Sequence, residues 1–155
     1  MTNNGLNPDM ICQGGLLVHD IESASQRLWE VLGFPTPPII VTPGYERVKT
    51  TFNGQPSEAT AKLVFFNTGQ VVIELIEPDE KPSVWRNYLQ EHGEGVHYIA
   101  FRVKDTAATT KHLEQYGIGV SQQGLYSDAS GMYTYVDSAP ALGVMLELLE
   151  NFNRK

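Results

Sequence analysis

Cysteine is nearly absent from this chain of 155 residues: Cys12 stands alone, so no internal disulfide, cysteine-based zinc cluster or CxxC redox pair can form. A reducing compartment suits such a sequence, and the cytoplasm is the expected location. Long apolar runs are also missing. Nothing approaches the roughly 18 apolar residues that a membrane span needs, and residues 1–9 are polar, without the basic-then-apolar order of a secretory signal. Basic residues are scarce as well. Eleven Lys and Arg against eighteen Asp and Glu give a formal charge of -7, which repels nucleic-acid phosphates and anionic membranes. A small molecule is the expected partner, with neither nucleic acid nor membrane. What remains is an ordinary globular balance, 41% hydrophobic and 19% charged, in a length that fits one domain with a real core.

Apolar residues run at strand density over 10–18, and the period changes at His19-Asp20. From there Ile21, Ala24, Leu28, Val31 and Leu32 recur at helical spacing, with Asp20 as cap and Gly33 as stop, which predicts a helix over about 22–32. After three closely spaced prolines, Ile39-Ile40-Val41 reads as an edge strand. Residues 44–57 are polar and show no period. Two strand-like runs, 61–66 and 71–76, flank Asn67-Thr68-Gly69-Gln70, a short hairpin connection. A charged turn between Pro78 and Pro82 leads to a short amphipathic helix marked by Val84, Trp85, Tyr88 and Leu89, which either covers the core or meets a partner.

Then the order repeats: strand 96–103, helix about 106–116 closed by Gly117, a strand near 118–122, and strands 132–136 and 144–149. Leu17-Val18-His19-Asp20 matches Arg102-Val103-Lys104-Asp105, and Val72-Ile73-Glu74-Leu75 matches Met145-Leu146-Glu147-Leu148. A duplicated unit buries one sheet face under its own helix and leaves the other to meet its twin. The expected fold class is α+β: two tandem βαβββ modules, about 10–78 and 95–150, joined by a linker helix at about 79–94.

Side chains alternate across a strand, so parity sorts them between helix side and inner face. Tyr98, Ala100 and Arg102 fall inward, with Ile99, Phe101 and Val103 toward the helix. Gln13, Gly15 and Leu17 likewise face inward, as do Val72, Glu74 and Ile76, and Met145, Glu147 and Leu149. Cys12 has helix-side parity and reads as a small buried hydrophobe. His97 comes inward only if its strand is bulged. Glu74 and Glu147 interrupt apolar strands at equivalent places in the two halves. Each is costly there unless paired, protonated or bound to a cation, or unless the sheet face is open to solvent.

Four motifs carry a family resemblance: Gln13-Gly-Gly-Leu-Leu-Val-His-Asp-Ile-Glu22, Val72-Ile-Glu-Leu-Ile-Glu-Pro78, Gly93-Glu-Gly-Val-His-Tyr-Ile-Ala-Phe-Arg-Val103 and Gly143-Val-Met-Leu-Glu-Leu148. Together they resemble the glyoxalase and methylmalonyl-CoA epimerase branch of the vicinal oxygen chelate superfamily, to which bleomycin resistance proteins and dioxygenases also belong. The resemblance implies an incomplete barrel around a small-molecule cavity, a homodimer, and one divalent ion held by two inward ligands from each half. Carried over, the ligand places are Gln13, Glu74, Tyr98 and Glu147. Tyr98 stands where family members commonly have the second residue of a His-His pair, and a neutral phenol is a poor ligand. The implied metal set is therefore Gln13, Glu74 and Glu147, suited to Mg²⁺ or Mn²⁺. Ni²⁺, Zn²⁺ or Co²⁺ would lack an imidazole unless a bulge supplied His97.

The same resemblance implies that Glu147 removes a proton next to a substrate carbonyl, with Glu74 as second acid/base group and Tyr98 as acid, in isomerase, epimerase or lyase chemistry that a metal would assist. The alternative is a metal-free binding or sequestering protein of the bleomycin-resistance kind. In either case Tyr133 and Tyr135 would line the walls, and Arg102 and Arg47 could receive an anionic group. His19, His92 and His112 read as exposed. Gly93-Glu94-Gly95 leads into a strand and is no phosphate loop.

Overall fold

The computed structural model describes residues 10–152; the polar segment 1–9 and residues 153–155 lie outside them. The first half contains β1 (Ile11–Leu17), α1 (Ile21–Leu32), β2 (Ile40–Val41), an insertion made of α2 (Tyr45–Val48), β3 (Thr51–Phe52) and β4 (Gln55–Pro56), then β5 (Ala61–Asn67) and β6 (Val72–Pro78). The linker forms α3 (Val84–His92). The second half runs β7 (Gly95–Val103), α4 (Thr106–Glu114), β8 (Val120–Leu125), β9 (Gly131–Val136), α5 (Ala139–Leu142) and β10 (Met145–Asn151). Without the insertion and α5, both halves read βαβββ.

Each principal helix starts in the same way, which shows the duplication at atomic detail. Asp20 Oδ1 accepts from Ser23 N at 3.0 Å, and Asp105 Oδ1 from Ala108 N at 2.8 Å. A second carboxylate comes from the last strand of each module: Glu77 accepts from Ile21 N at 2.9 Å, and Glu150 from Thr106 N at 2.8 Å. Capping oxygens satisfy N–H groups that have no intrahelical partner and place negative charge at the positive helix end. α1 ends at Gly33, whose φ of 73° is the left-handed turn that glycine accepts without strain.

All ten strands join one curled, open sheet in the order β2-β5-β6-β1-β7-β10-β9-β8-β3-β4. The central strands β1 and β7 are antiparallel, and each lies parallel to the last strand of its own module. The pairing is two-fold in register: Gln13 faces Ala100 and Gly15 faces Tyr98. Parity divides the core accordingly. Ile21 of α1 packs with Val18, Val64, Phe66 and Leu75, and Leu113 of α4 with Val103, Val136, Leu146 and Leu148. On the concave side Leu17, Ile76, Tyr98, Ala100, Tyr135 and Leu149 form the inner cluster, joined by Trp85 and Leu89 of α3.

Three features depart from the sequence reading. The register slips between Ile11 and Gln13, so Cys12 packs on the inner cluster rather than under the helix, with Sγ 3.7 Å from the Ala100 carbonyl oxygen. A second slip opposes Gly15 and Leu16 to Tyr98 and Val96, making His97 the extra residue of a bulge, 2% exposed. Residues 44–57 are not a structureless loop. Their strand β3 crosses to the far module and pairs with β8, so this insertion straps one half-barrel to the other.

Candidate functional site

Glu74 and Glu147 face a single cavity of about 510 Å³ and are only 5% and 3% exposed. Their environments differ although their places in the duplication are equivalent. Glu74, Gly15 and Tyr98 stand abreast on β6, β1 and β7. A Cβ on Gly15 would overlap the Tyr98 ring, so glycine there lets the phenol lie across β1 and reach the carboxylate. Tyr98 Oη donates to Glu74 Oε2. Gln13 Nε2 donates to the same oxygen at 3.0 Å and to Tyr98 Oη at 2.6 Å. The Glu74 anion thus has two donors on one oxygen.

Glu147 stands beside Tyr135, its register partner on β9. Trp85 Nε1 of α3 donates to Tyr135 Oη at 3.0 Å. An indole can only donate, so Tyr135 accepts there and keeps its own proton for another group. Glu147 Oε2 is buried without a hydrogen-bond partner among the described residues. Burial raises Glu74 to about 7 against the pull of the hydrogen bonds from Tyr98 and Gln13. Burial and the Glu74 charge push Glu147 well above the usual carboxylate range, with Tyr135 and Tyr98 opposing them. The better-solvated anion is Glu74, so the proton that the pair retains near neutral pH resides on Glu147.

The tyrosines remain neutral phenols, because burial and then the Glu147 and Glu74 charges raise Tyr98 and Tyr135 well above 10. Tyr133 also lines the cavity. Its hydroxyl lies 3.3 Å from Thr50 Oγ1 of the insertion and accepts from the wholly buried Gln122 at 3.4 Å. Arg102 lines the cavity. Arg47 does not; it lies on α2, where Nε donates to the Ser127 carbonyl at 2.8 Å and ties the insertion to the β8–β9 loop. His97 is inside the barrel but does not line the cavity. Its ring lies among those of Tyr88, Tyr135 and Tyr98, with centroids 4.9, 5.5 and 5.9 Å away, and burial holds it neutral with a pKa of about 4. Trp85, Gln122 and Thr50 are additions that parity did not offer, since each reaches the site from an element distant in sequence.

Residues 12–136 match the family model of the Glyoxalase/Bleomycin resistance protein/Dioxygenase superfamily. The chain belongs to that superfamily. An uncharacterized protein of Bacillus subtilis (strain 168), YqjC, is 28% identical over 94 residues, which is 60% of this chain and 67% of that one. A hypothetical protein of Bacillus halodurans C-125 superposes with a TM-score of 0.63 at 19% identity, covering 94% of this chain and 96% of that one. Methylmalonyl-CoA epimerase from Mycobacterium tuberculosis gives 0.60 at 21%, covering 92% and 87%. These structural likenesses establish the shared vicinal oxygen chelate fold.

Superfamily members commonly bind a divalent metal; in this chain Gln13, Glu74 and Tyr98 are arranged to hydrogen-bond one another. Among the described residues no group of three or more His, Cys, Asp or Glu converges as a metal site. The ligand place on β7 holds a phenol that burial keeps protonated. Gln13 gives its N–H₂ to Glu74 and Tyr98. Hydrogen bonds supply to Glu74 what an ion would supply elsewhere, and His97 faces α3.

Proposed function

We propose that this superfamily member is a metal-independent enzyme that moves a proton at the carbon next to a carbonyl in a small organic substrate, on the isomerase, epimerase or lyase side of the family. The observation that carries this is the pair of buried carboxylates on one cavity, with Glu74 hydrogen-bonded as an anion and Glu147 lacking a partner for one oxygen. Glu74 takes the proton from carbon, the electron pair moves into the carbonyl, and Glu147 gives its proton to the developing oxyanion. As the carbonyl re-forms, Glu147 recovers its proton from the enol oxygen, a proton returns to the carbon, on its opposite face in an epimerisation, and Glu74 gives up the one it took. These roles reverse those implied by resemblance, in which Glu147 is the base. The fold is shared with proteins named as methylmalonyl-CoA epimerases, which supports the isomerase side.

Deuterium exchange tests this without a known product. Incubated in D₂O with small ketones, oxo acids and thioesters, the protein is expected to remove the proton signal next to the carbonyl of at least one of them. The rate should be indifferent to a chelator, and Glu74→Gln should lower it by about 100-fold or more. Exchange that requires added Mn²⁺ or Ni²⁺, or that survives Glu74→Gln, would sink the proposal. If compounds bind and none exchanges, the sequestering role replaces it, a reading that the wall of Trp85, Tyr126, Tyr133 and Tyr135 favours.

A further inference from the structure

Arg102 is the only positively charged side chain that lines the cavity among the described residues. It is half-buried and has no carboxylate within ion-pair distance among them. A guanidinium held over a partly apolar space without a counter-ion is poised for an anion from outside, and its planar fork matches a carboxylate.

Its place in the sheet adds a length scale. Ala100 pairs with Glu147, and Arg102, two residues on along β7, pairs with Leu149. Two strand residues advance about 7 Å, with both side chains on the same face. Helix α3 covers the other end of this strand, where Tyr88 Oη donates to the Val96 carbonyl at 2.8 Å. The inner face therefore has a reacting place at the two glutamates and an anchoring place one pleat repeat further from α3. The wall opposite, from the first module, is apolar through Ile40, Val48, Leu63 and Phe65.

Charge limits the anion. Three carboxyl groups, Glu74, Glu147 and Asp128, already line the cavity. With those groups on the wall and a single guanidinium among them, a monoanion is the better match, because a phosphate dianion would bring twice the added negative charge.

We propose that Arg102 anchors the carboxylate of the substrate, which is a small oxo acid: its carbonyl meets Glu147, two to four bonds separate carbonyl and carboxylate, and its apolar remainder packs on the first module. This rests on the proton-transfer reading for the role of the carbonyl, but its test does not depend on turnover. Binding of 4-oxo-4-phenylbutanoate is compared with that of its methyl ester by calorimetry or ligand-observed NMR. The acid is expected to bind at least tenfold more tightly. Arg102→Gln should remove that preference while leaving ester affinity unchanged, which also shows the variant to be folded, and Arg102→Lys should keep part of it. Equal affinity for acid and ester, or a preference that survives Arg102→Gln, overturns the anchor. Failure of both compounds to saturate the protein by about 10 mM overturns the substrate class. An Arg102-dependent preference for the acid, with no exchange in D₂O, supports the anchor and counts against the proton-transfer reading alone.

Discussion

Several tyrosines in and around the cavity reach their places because a neighbouring residue has no side chain. Gly15 lies under Tyr98, a Cβ on Gly124 would stand 2.9 Å from both Cε1 and Oη of Tyr133, and one on Gly131 would overlap the Tyr126 ring. Gly15 carries the largest consequence, since Tyr98 spans from β7 to Glu74 across it. Gly15→Ala should force the phenol away, break the Gln13–Tyr98–Glu74 network and cost about 2 kcal/mol in denaturant unfolding. In a Tyr98→Ala background the same substitution should cost much less, because the overlap is gone. Equal costs in the two backgrounds would mean that the ring does not depend on the glycine. Period-two alternation made the inward set readable at residue scale: Gln13, Gly15, Glu74, Tyr98, Arg102 and Glu147 all follow it. Cys12 and His97 escape it because each sits at a register slip, and a bulge leaves no mark in the order of apolar and polar residues.

At the scale of elements, the two halves were legible because helix period, cap and glycine stop recur in step with the strands. The insertion was not. Its strands are two residues long and one of them pairs with the other module, so no local period announces them. Helix α3 shows the same limit, being amphipathic in sequence yet part of the site in space. Ser83 Oγ caps it by accepting from Arg86 N at 3.0 Å, Val84 N donates to the buried Gln122 at 3.0 Å, and Trp85 then reaches Tyr135. Trp85 is a positioning residue: by donating to Tyr135 it strengthens the hydrogen bond that Tyr135 can offer Glu147. Trp85→Phe should cost about 1 kcal/mol for the lost bond. It should also move the pH at which Glu147 loses its proton upward, because the anion is then less well supported. Carboxyl ¹³C NMR through a pH titration reads this directly. A downward movement, or none, would confine Trp85 to packing.

For the whole molecule, burying two carboxyls and an imidazole makes stability depend on pH in a way that surface charge does not. Glu74 is held at about 7 in the folded chain against 4.5 for the free group. The native state therefore binds this proton more tightly than the unfolded chain, and the stability it contributes is full below about 4.5 and lost as pH rises toward 7. Glu147 acts in the same sense over a wider range, its folded value being raised further by burial and by the Glu74 charge. His97 acts in the opposite sense: burial holds it at about 4 against 6.5, so its contribution is full above 6.5 and lost as pH falls toward 4. Between 4.5 and 6.5 the Glu74 and His97 slopes oppose one another and largely cancel, which leaves Glu147 to set the sign. The melting temperature should accordingly be highest near about pH 5 and several degrees lower at about pH 8. Glu147→Gln removes the uncompensated slope and should flatten the profile below pH 6.5, leaving only the smaller Glu74 fall toward 7. Thermal melts of the two proteins across this range are the check. A wild-type Tm that rises from pH 5 to pH 8 would mean that Glu147 is not held uncharged inside the folded chain, and the proton-transfer reading would then lose its acid.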